Sequence, residues 1–345
     1  MKRGLVVFDH DETSEDEWLQ RAQGAQARIV DEGVDLALVY NDVSRGDDIG
    51  YLTNLVIYWN EGVLAIPAEG DLTLLTKISP RVFPWMTRNS TLTDLRSGRT
   101  IGALVAAYVD GRDPGTIGLI DAELWPTAIV DEIAVAAPDW KIASLGAIVR
   151  DQRKIPSTTE VALLTRGAEV LRHALETAAA SGLNARERVA ALEKVARGGG
   201  FADILLRIAE DGEHVTMEAS GQYRQGWLQI GRTFGHATLA VALQQAQAAA
   251  LTLLRSDAVW ADVERVALDA LDAHGEVNSD AVVSVRWISQ ADFATGGELQ
   301  PPPTRGPADG EVAALVIEVV DEVGVRSVLT DTVLVTATGA DPLTL

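Results

Sequence analysis

Between Val215 and Phe234 the sequence VTMEASGQYRQGWLQIGRTF sets polar, hydrogen-bonding side chains at alternate positions. Read as two strands, Thr216, Glu218, Ser220 and Gln222, then Gln225, Trp227, Gln229 and Thr233, share one face, and Met217, Ala219, Leu228 and Ile230 share the other. A two-residue turn at Tyr223-Arg224 places Glu218 directly opposite Gln229, with Cβ atoms about 4.5–5.5 Å apart. That turn lacks the Asn-Gly signal, so a longer loop is the alternative. His214 shares the parity of Glu218 and is a candidate base, against the simpler reading of a satisfied strand-end histidine. Tyr223, Trp227 and Trp287 could wall a site for a small organic substrate, or be packing residues.

The chain around this stretch has 345 residues, long for one core, so two domains are expected. With 47% hydrophobic and 23% charged residues it reads as a folded protein. A net charge of −21 and no basic cluster argue against nucleic acid as a partner. The absence of cysteine removes disulfides, thiolate metal sites and a thiol nucleophile. None of the five histidines pairs with another at the i, i+4 spacing of a helical zinc site. The apolar run from Gly4 to Phe8 is too short for a signal peptide, and no stretch approaches the roughly 20 residues of a membrane span. A cytoplasmic protein without a membrane partner is therefore expected.

The elements that must position the hairpin follow from patterning. Residues 1–150 alternate strands and helices: a helix at Glu15 to Asp31, a buried strand at Asp35 to Tyr40, strands at Gly62 to Ile66 and Leu72 to Lys77, a helix near Gly102 to Val109, a strand at Thr116 to Ile120, a helix after Pro126 and a strand at Lys141 to Ser144. A polar segment, Arg150 to Thr159, marks the boundary. Residues 151–345 open with capping boxes at Ser157–Glu160 and Asn184–Glu187, each starting a helix. Strands follow at Ala202 to Ala209 and through the hairpin, then helices from about Thr238 to Leu254 and Val259 to Ala273, then strands at Val282 to Ile288, Val312 to Val320 and Thr332 to Val335. The segment Gln290 to Gly310, with three consecutive prolines, reads as a long loop, either a lid or a plain surface excursion.

The phrases GVDLALV from Gly33, IGYLTN from Ile49 and EGVLAIP from Glu61, then Arg153-Lys154, Ile230-Gly231-Arg232-Thr233-Phe234 and Gly324-Val325-Arg326 with Asp331 to Thr336, resemble the creatinase/aminopeptidase P family. That resemblance implies an α/β creatinase-like N-terminal domain at 1–150 and an α+β pita-bread domain at 151–345, with a second copy of the chain as partner in a homodimer. Metal-dependent members hold two ions with two Asp, one His and two Glu. By the resemblance these positions carry Glu218, Gln229, no histidine (Val283 to Ile288 stands in its place), Glu318 and Thr330. Two carboxylates and an amide are a poor match to two divalent cations, so no metal and no other cofactor is expected.

The expected function is that of a metal-independent enzyme acting on a small non-peptide molecule, by hydrolysis or rearrangement of a C–N or amide bond. Glu218 and Glu318 would then be the acid–base pair, each raising the other's pKa, with Gln229 positioning the substrate. Arg286 would suit a carboxylate substrate, or would neutralise Glu218 or Glu318. Arg232 and Arg326 are expected in ion pairs with sheet carboxylates. By the dimeric resemblance, Tyr58-Trp59-Asn60 would approach the partner's site, the alternative being interface packing. Two other readings stand beside this one: a non-catalytic pseudoenzyme binding a ligand or protein partner, and a metallopeptidase of the Xaa-Pro type.

Overall fold

The computed structural model describes residues 9–57, 59–180, 182–275, 277, 280–293 and 306–345. Most of the expected loop at Gln290 to Gly310 therefore lies outside the described residues, as does Tyr58. The chain divides into two compact units between Arg153 and Lys154.

In the first unit, helix α1 (Glu15–Asp31) leads into strand β1 (Leu36–Asn41), α2 (Asp47–Thr53), the β2 (Gly62–Pro67) and β3 (Thr73–Thr76) hairpin, and α3 (Phe83–Arg88). Then come β4 (Asp94–Ser97), α4 (Ile101–Val109), β5 (Thr116–Ile120), α5 (Thr127–Ala136), β6 (Lys141–Leu145) and α6 (Ile148–Arg153). The strands form one mixed sheet in the order β4-β3-β2-β1-β5-β6. Every residue of β1 and β2 is buried, because apolar clusters cover both faces: Ala37, Val39, Leu64 and Ile66 on one, Leu36, Leu38, Val63 and Ala65 on the other. Continuous apolar strands are the sequence mark of such a two-sided layer. Helices α2, α3 and α6 and strand β4 are not legible in the patterning. They span four to seven residues, too few for periodicity to declare itself.

The second unit opens with α7 (Thr158–Ala178) and α8 (Ala185–Gly198). Both capping boxes form: the Ser157 hydroxyl accepts from the Glu160 amide while the Glu160 carboxylate accepts from the Ser157 amide, and Asn184 and Glu187 repeat the exchange. Strands β7 (Phe201–Asp211), β8 (His214–Tyr223) and β9 (Gly226–Phe234) follow, then α9 (Ala237–Leu253), α10 (Trp260–Asp272), β10 (Val282–Ser289), β11 (Val312–Val320), β12 (Arg326–Thr336) and β13 (Gly339–Pro342). Strand β12 begins six residues earlier than the pattern suggests, its first half being interrupted by polar residues that the sheet buries. The strand order is β10-β11-β12-β9-β8-β7, antiparallel throughout, with β13 added to β12.

Helices α7 and α8 cover the apolar face of the β8–β9 hairpin through Met217, Ala219, Leu228 and Ile230. Helices α9 and α10 continue that layer over Val285, Leu315, Ile317 and Val319. The candidate polar residues lie on the opposite face. Among the described residues no helix is long and apolar enough to cross a membrane.

Candidate functional site

The hairpin turn is Arg224-Gln225, one residue later than expected, with Tyr223 paired to Gly226. Arg224 supplies the positive φ, 56°, that a tight hairpin turn needs. The shift moves the pairing register by two residues, so Glu218 stands opposite Gly231 and Gln229 opposite Ser220. A two-residue shift preserves the faces, because side chains alternate with period two. Gly231 matters here: a Cβ at that position would lie 3.0 Å from Glu218 Cγ. The glycine leaves room for the carboxylate.

One transverse row now crosses the sheet: Arg207, Glu218, Gly231, Thr330, Val316 and Arg286, each paired with the next. Arg326, at the start of β12, bonds both carboxylates, Nη1 to Glu218 and Nη2 to Glu318, each at 2.5 Å. Arg286 Nη2 donates to Glu318 at 2.9 Å, and Arg207 Nη1 lies 3.8 Å from Glu218. Burial pushes the Glu318 carboxyl upward, but the hydrogen bond and charge of Arg326, helped by Arg286 and Arg207, outweigh it and hold Glu318 below the usual glutamate range. The same two carboxylates raise the already high pKa of Arg326 against the opposing effect of its own burial. This corrects the expectation that a neighbouring carboxylate raises Glu318. A guanidinium bonds both of them.

Beside the cluster is a pocket of about 160 Å³ lined by Arg207, Glu218, Ser220, Gln229, Arg286 and Phe293, among others. Gln229 is only 7% exposed, and its side-chain amide makes no hydrogen bond within the described residues; its backbone amide and carbonyl both bond the Thr332 hydroxyl. Nε of Arg286 and of Arg326 and the Thr330 hydroxyl are buried without a partner among the described residues. Three guanidiniums face two carboxylates, which leaves a local positive excess in a chain of net charge −21.

Other candidates are placed elsewhere. His214 Nε2 lies 3.1 Å from the Arg326 carbonyl and within reach of the Thr216 and Ser327 hydroxyls, so it steadies the strand carrying Arg326 and does not line the pocket. Tyr223 falls on the opposite face, its ring tilted against Phe201 with centroids 5.2 Å apart, and accepts from Arg166 Nε. Trp287 also faces the helices, near Trp260, and donates to Glu311. Trp227 keeps the polar face but is buried against Phe293, 4.8 Å between centroids, and reaches the pocket only through that ring. The three aromatics therefore form no common wall. In the first unit Trp59 packs on the core, and Asn60, at φ 64°, caps the β2–β3 hairpin by bonding the Lys77 carbonyl.

The metal set implied by the resemblance does not fit these residues. Gln229 and Thr330 carry no charge, and both remaining carboxylates are bonded by Arg326. Among the described residues no three His, Asp or Glu side chains come together where they could hold an ion.

Residues 21–155 match the family model described as Creatinase/Prolidase N-terminal domain. The chain superposes on the prolidase from Pyrococcus horikoshii OT3 with a TM-score of 0.73 at 16% identity, covering 94% of this chain and 98% of that one. The Xaa-Pro dipeptidase from Bacillus anthracis gives 0.75 at 16% identity, covering 95% and 97%. The X-Pro aminopeptidase from Thermotoga maritima MSB8 also gives 0.75 at 16%, covering 93% and 97%. No curated protein matches the chain in sequence. At such identities the structural likeness is one of fold, and it extends over nearly the full length.

Proposed function

We propose that this chain, a member of the creatinase/aminopeptidase P family by its N-terminal domain and pita-bread fold, is a metal-independent protein that binds a small anionic, non-peptide molecule. The observation that carries the proposal is Arg326, whose guanidinium occupies both carboxylates, Glu218 and Glu318, that the resemblance assigns to metal. Arg326 offsets one of the two negative charges, and with Arg286 and Arg207 beside it the cluster is net positive. Arg286 and Arg207 then offer a carboxylate the fork geometry that guanidinium groups favour. The unpartnered Gln229 amide and the Ser220 hydroxyl line the same pocket and would read a second polar group. At about 160 Å³ the pocket is below the range of drug-sized sites, roughly 300–1,000 Å³, and suits a compact ligand.

The hydrolytic reading, cleavage of a C–N or amide bond in a small molecule, is favoured by one observation: Glu218 lines the pocket beside Ser220. It is second because Glu318 is held ionised and no histidine among the described residues reaches the pocket. A homodimer in the cytoplasm completes the proposal, and light scattering on the purified chain reads its oligomeric state.

The test is metal analysis together with thermal-shift titration by short-chain carboxylates such as butyrate, with and without EDTA. Less than stoichiometric Mn, Zn, Co or Fe and a carboxylate-dependent shift that EDTA leaves intact and Arg286→Gln abolishes are expected. Stoichiometric metal with cleavage of Xaa-Pro dipeptides would overturn the proposal. Turnover of an amide substrate that is lost in Glu218→Gln would promote the hydrolytic reading over it.

A further inference from the structure

The pocket in the second unit rests on two neighbouring transverse rows of its sheet. The first is the charged row that holds Arg207, Glu218 and Arg286. The second lies two residues along each strand: Leu205 pairs with Ser220, Ser220 with Gln229, and Ala314 pairs with both Thr332 and Ile288. Side chains two apart on a strand share a face, so a charged strip and a largely neutral one open into the same space. A ligand of this pocket meets charge on one side and Leu205, Ile288 and Phe293 on the other.

Within the charged strip the bonding groups are unevenly used. Arg286 donates to Glu318 through Nη2, and its Nε is buried with no partner among the described residues. A buried donor without a partner costs free energy, which an incoming acceptor relieves. The charged contacts of Glu218 all fall on one oxygen: Oε2 accepts from Arg326 Nη1 and lies 3.8 Å from Arg207 Nη1. Its other oxygen, Oε1, takes none of them. The Glu318 oxygen that bonds Arg286 also bonds Arg326, and Arg326 reaches on to Glu218. One carboxylate oxygen and one guanidinium therefore span the gap from Arg286 to Glu218. A carboxylate seated on Arg286 has an open acceptor close to its neighbouring carbon, and the amide of Gln229, a residue only 7% exposed, lines the same pocket.

We infer, on the basis of the anion reading above, that the ligand is a short 2-hydroxycarboxylate. Its carboxylate lies on Arg286 and Arg207, its hydroxyl donates to Glu218 Oε1 and accepts from the Gln229 amide, and its aliphatic end faces Leu205, Ile288 and Phe293. A plain carboxylate leaves Glu218 Oε1 without a donor. An amino acid supplies a donor, but its ammonium cancels the negative charge that a strip of three guanidiniums and two carboxylates calls for, and it has no lone pair for Gln229.

The experiment is calorimetric titration of the full chain with butyrate, 2-hydroxybutyrate, 4-hydroxybutyrate and 2-aminobutyrate. 2-Hydroxybutyrate is expected to bind about tenfold more tightly than butyrate, the worth of one hydrogen bond to a charged group. 4-Hydroxybutyrate, whose hydroxyl falls among the apolar side chains, should bind no more tightly than butyrate, and 2-aminobutyrate should bind more weakly than 2-hydroxybutyrate. Glu218→Gln keeps an acceptor for Arg326 and turns a donor toward the ligand, so it should bring butyrate and 2-hydroxybutyrate to within about twofold of each other. Gln229→Met, which removes the amide at similar volume, should cut the ratio to about threefold. Equal affinity for butyrate and 2-hydroxybutyrate, both lost in Arg286→Gln, would overturn this inference and leave the anion reading standing, whereas binding of neither would overturn both. Tighter binding of 2-aminobutyrate, or a ratio that survives in both variants, would also overturn the inference.

Discussion

Arg326 holds two carboxylates that come from different strands, Glu218 on β8 and Glu318 on β11, and all three side chains are less than a fifth exposed. Removing one member of such a cluster leaves the other charges without compensation, which costs more than an exposed ion pair is worth. Arg326→Ala should therefore destabilise the protein by about 2–3 kcal/mol near neutral pH, measured by urea unfolding. The deficit should shrink in acid, because protonating Glu318 relieves the repulsion that the substitution exposes. An equal loss at all pH values would show that packing, not charge, is what Arg326 contributes. At this scale the sequence is partly legible. Parity puts Glu218 and Gln229 on one face, and Arg286 is readable as a partner for Glu318. Parity also separates Tyr223 from Glu218, and Trp287 from its neighbour Arg286, so strand alternation by itself argues against the aromatic wall. Arg207 and Phe293 are not readable, since their place in the pocket depends on which residue of the next element they meet.

The hairpin shows where element-level reading stops. Alternation fixes which face is buried, but it is silent on a slip of two residues, and Tyr-Arg-Gln-Gly contains no residue that marks the turn unambiguously. The long helices are legible because their caps are chemical signals: Ser157 with Glu160 and Asn184 with Glu187 form the bonds their spacing suggests. What places α7 on the hairpin is less visible. Gly167 faces the ring of Tyr223, and a Cβ there would lie 2.7 Å from Tyr223 Cγ and 2.8 Å from Leu228 Cδ1. Gly167→Ala, although a better helix former, should cost about 1–3 kcal/mol through overpacking. The substitution would also disturb the strands that carry Gln229, so a lower melting temperature should come with weaker carboxylate binding. A stabilised variant would mean the contact relaxes without strain.

Across the whole molecule, two carboxyls in different units, Asp121 and Glu318, carry opposite dependence on pH. In the first, burial raises the Asp121 carboxyl to about 6, overriding the pull of Arg150 at 2.7 Å, and nearby Asp48 adds to the rise. Asp48 is itself raised, by burial above all. A carboxyl raised on folding contributes its stability in full below its unfolded pKa, near 3.9, and loses it as pH climbs through the folded value. Glu318, lowered on folding, contributes above its unfolded value and loses that contribution as pH falls. Asp121→Asn keeps an acceptor for Arg150 and removes the titration. Its stability relative to the natural chain should therefore rise between about pH 4 and 7, by no more than about 3 kcal/mol, the worth of a two-unit shift. Chemical unfolding of both proteins across that range reads the difference, and parallel curves would contradict it. At this scale the alternating pattern, the polar boundary near residue 153 and the family phrases make the two-part architecture legible. The charge network at Asp48, Asp121 and Arg150 is not, because it joins residues a hundred positions apart.

The bridge made by Arg326 has a last consequence. A cation that is part of a side chain is installed when the chain is synthesised; it has no dissociation constant, competes with no other ion and waits for no delivery. Glu218 and Glu318 therefore meet a positive charge from the moment the sheet closes, one that is written into the chain itself.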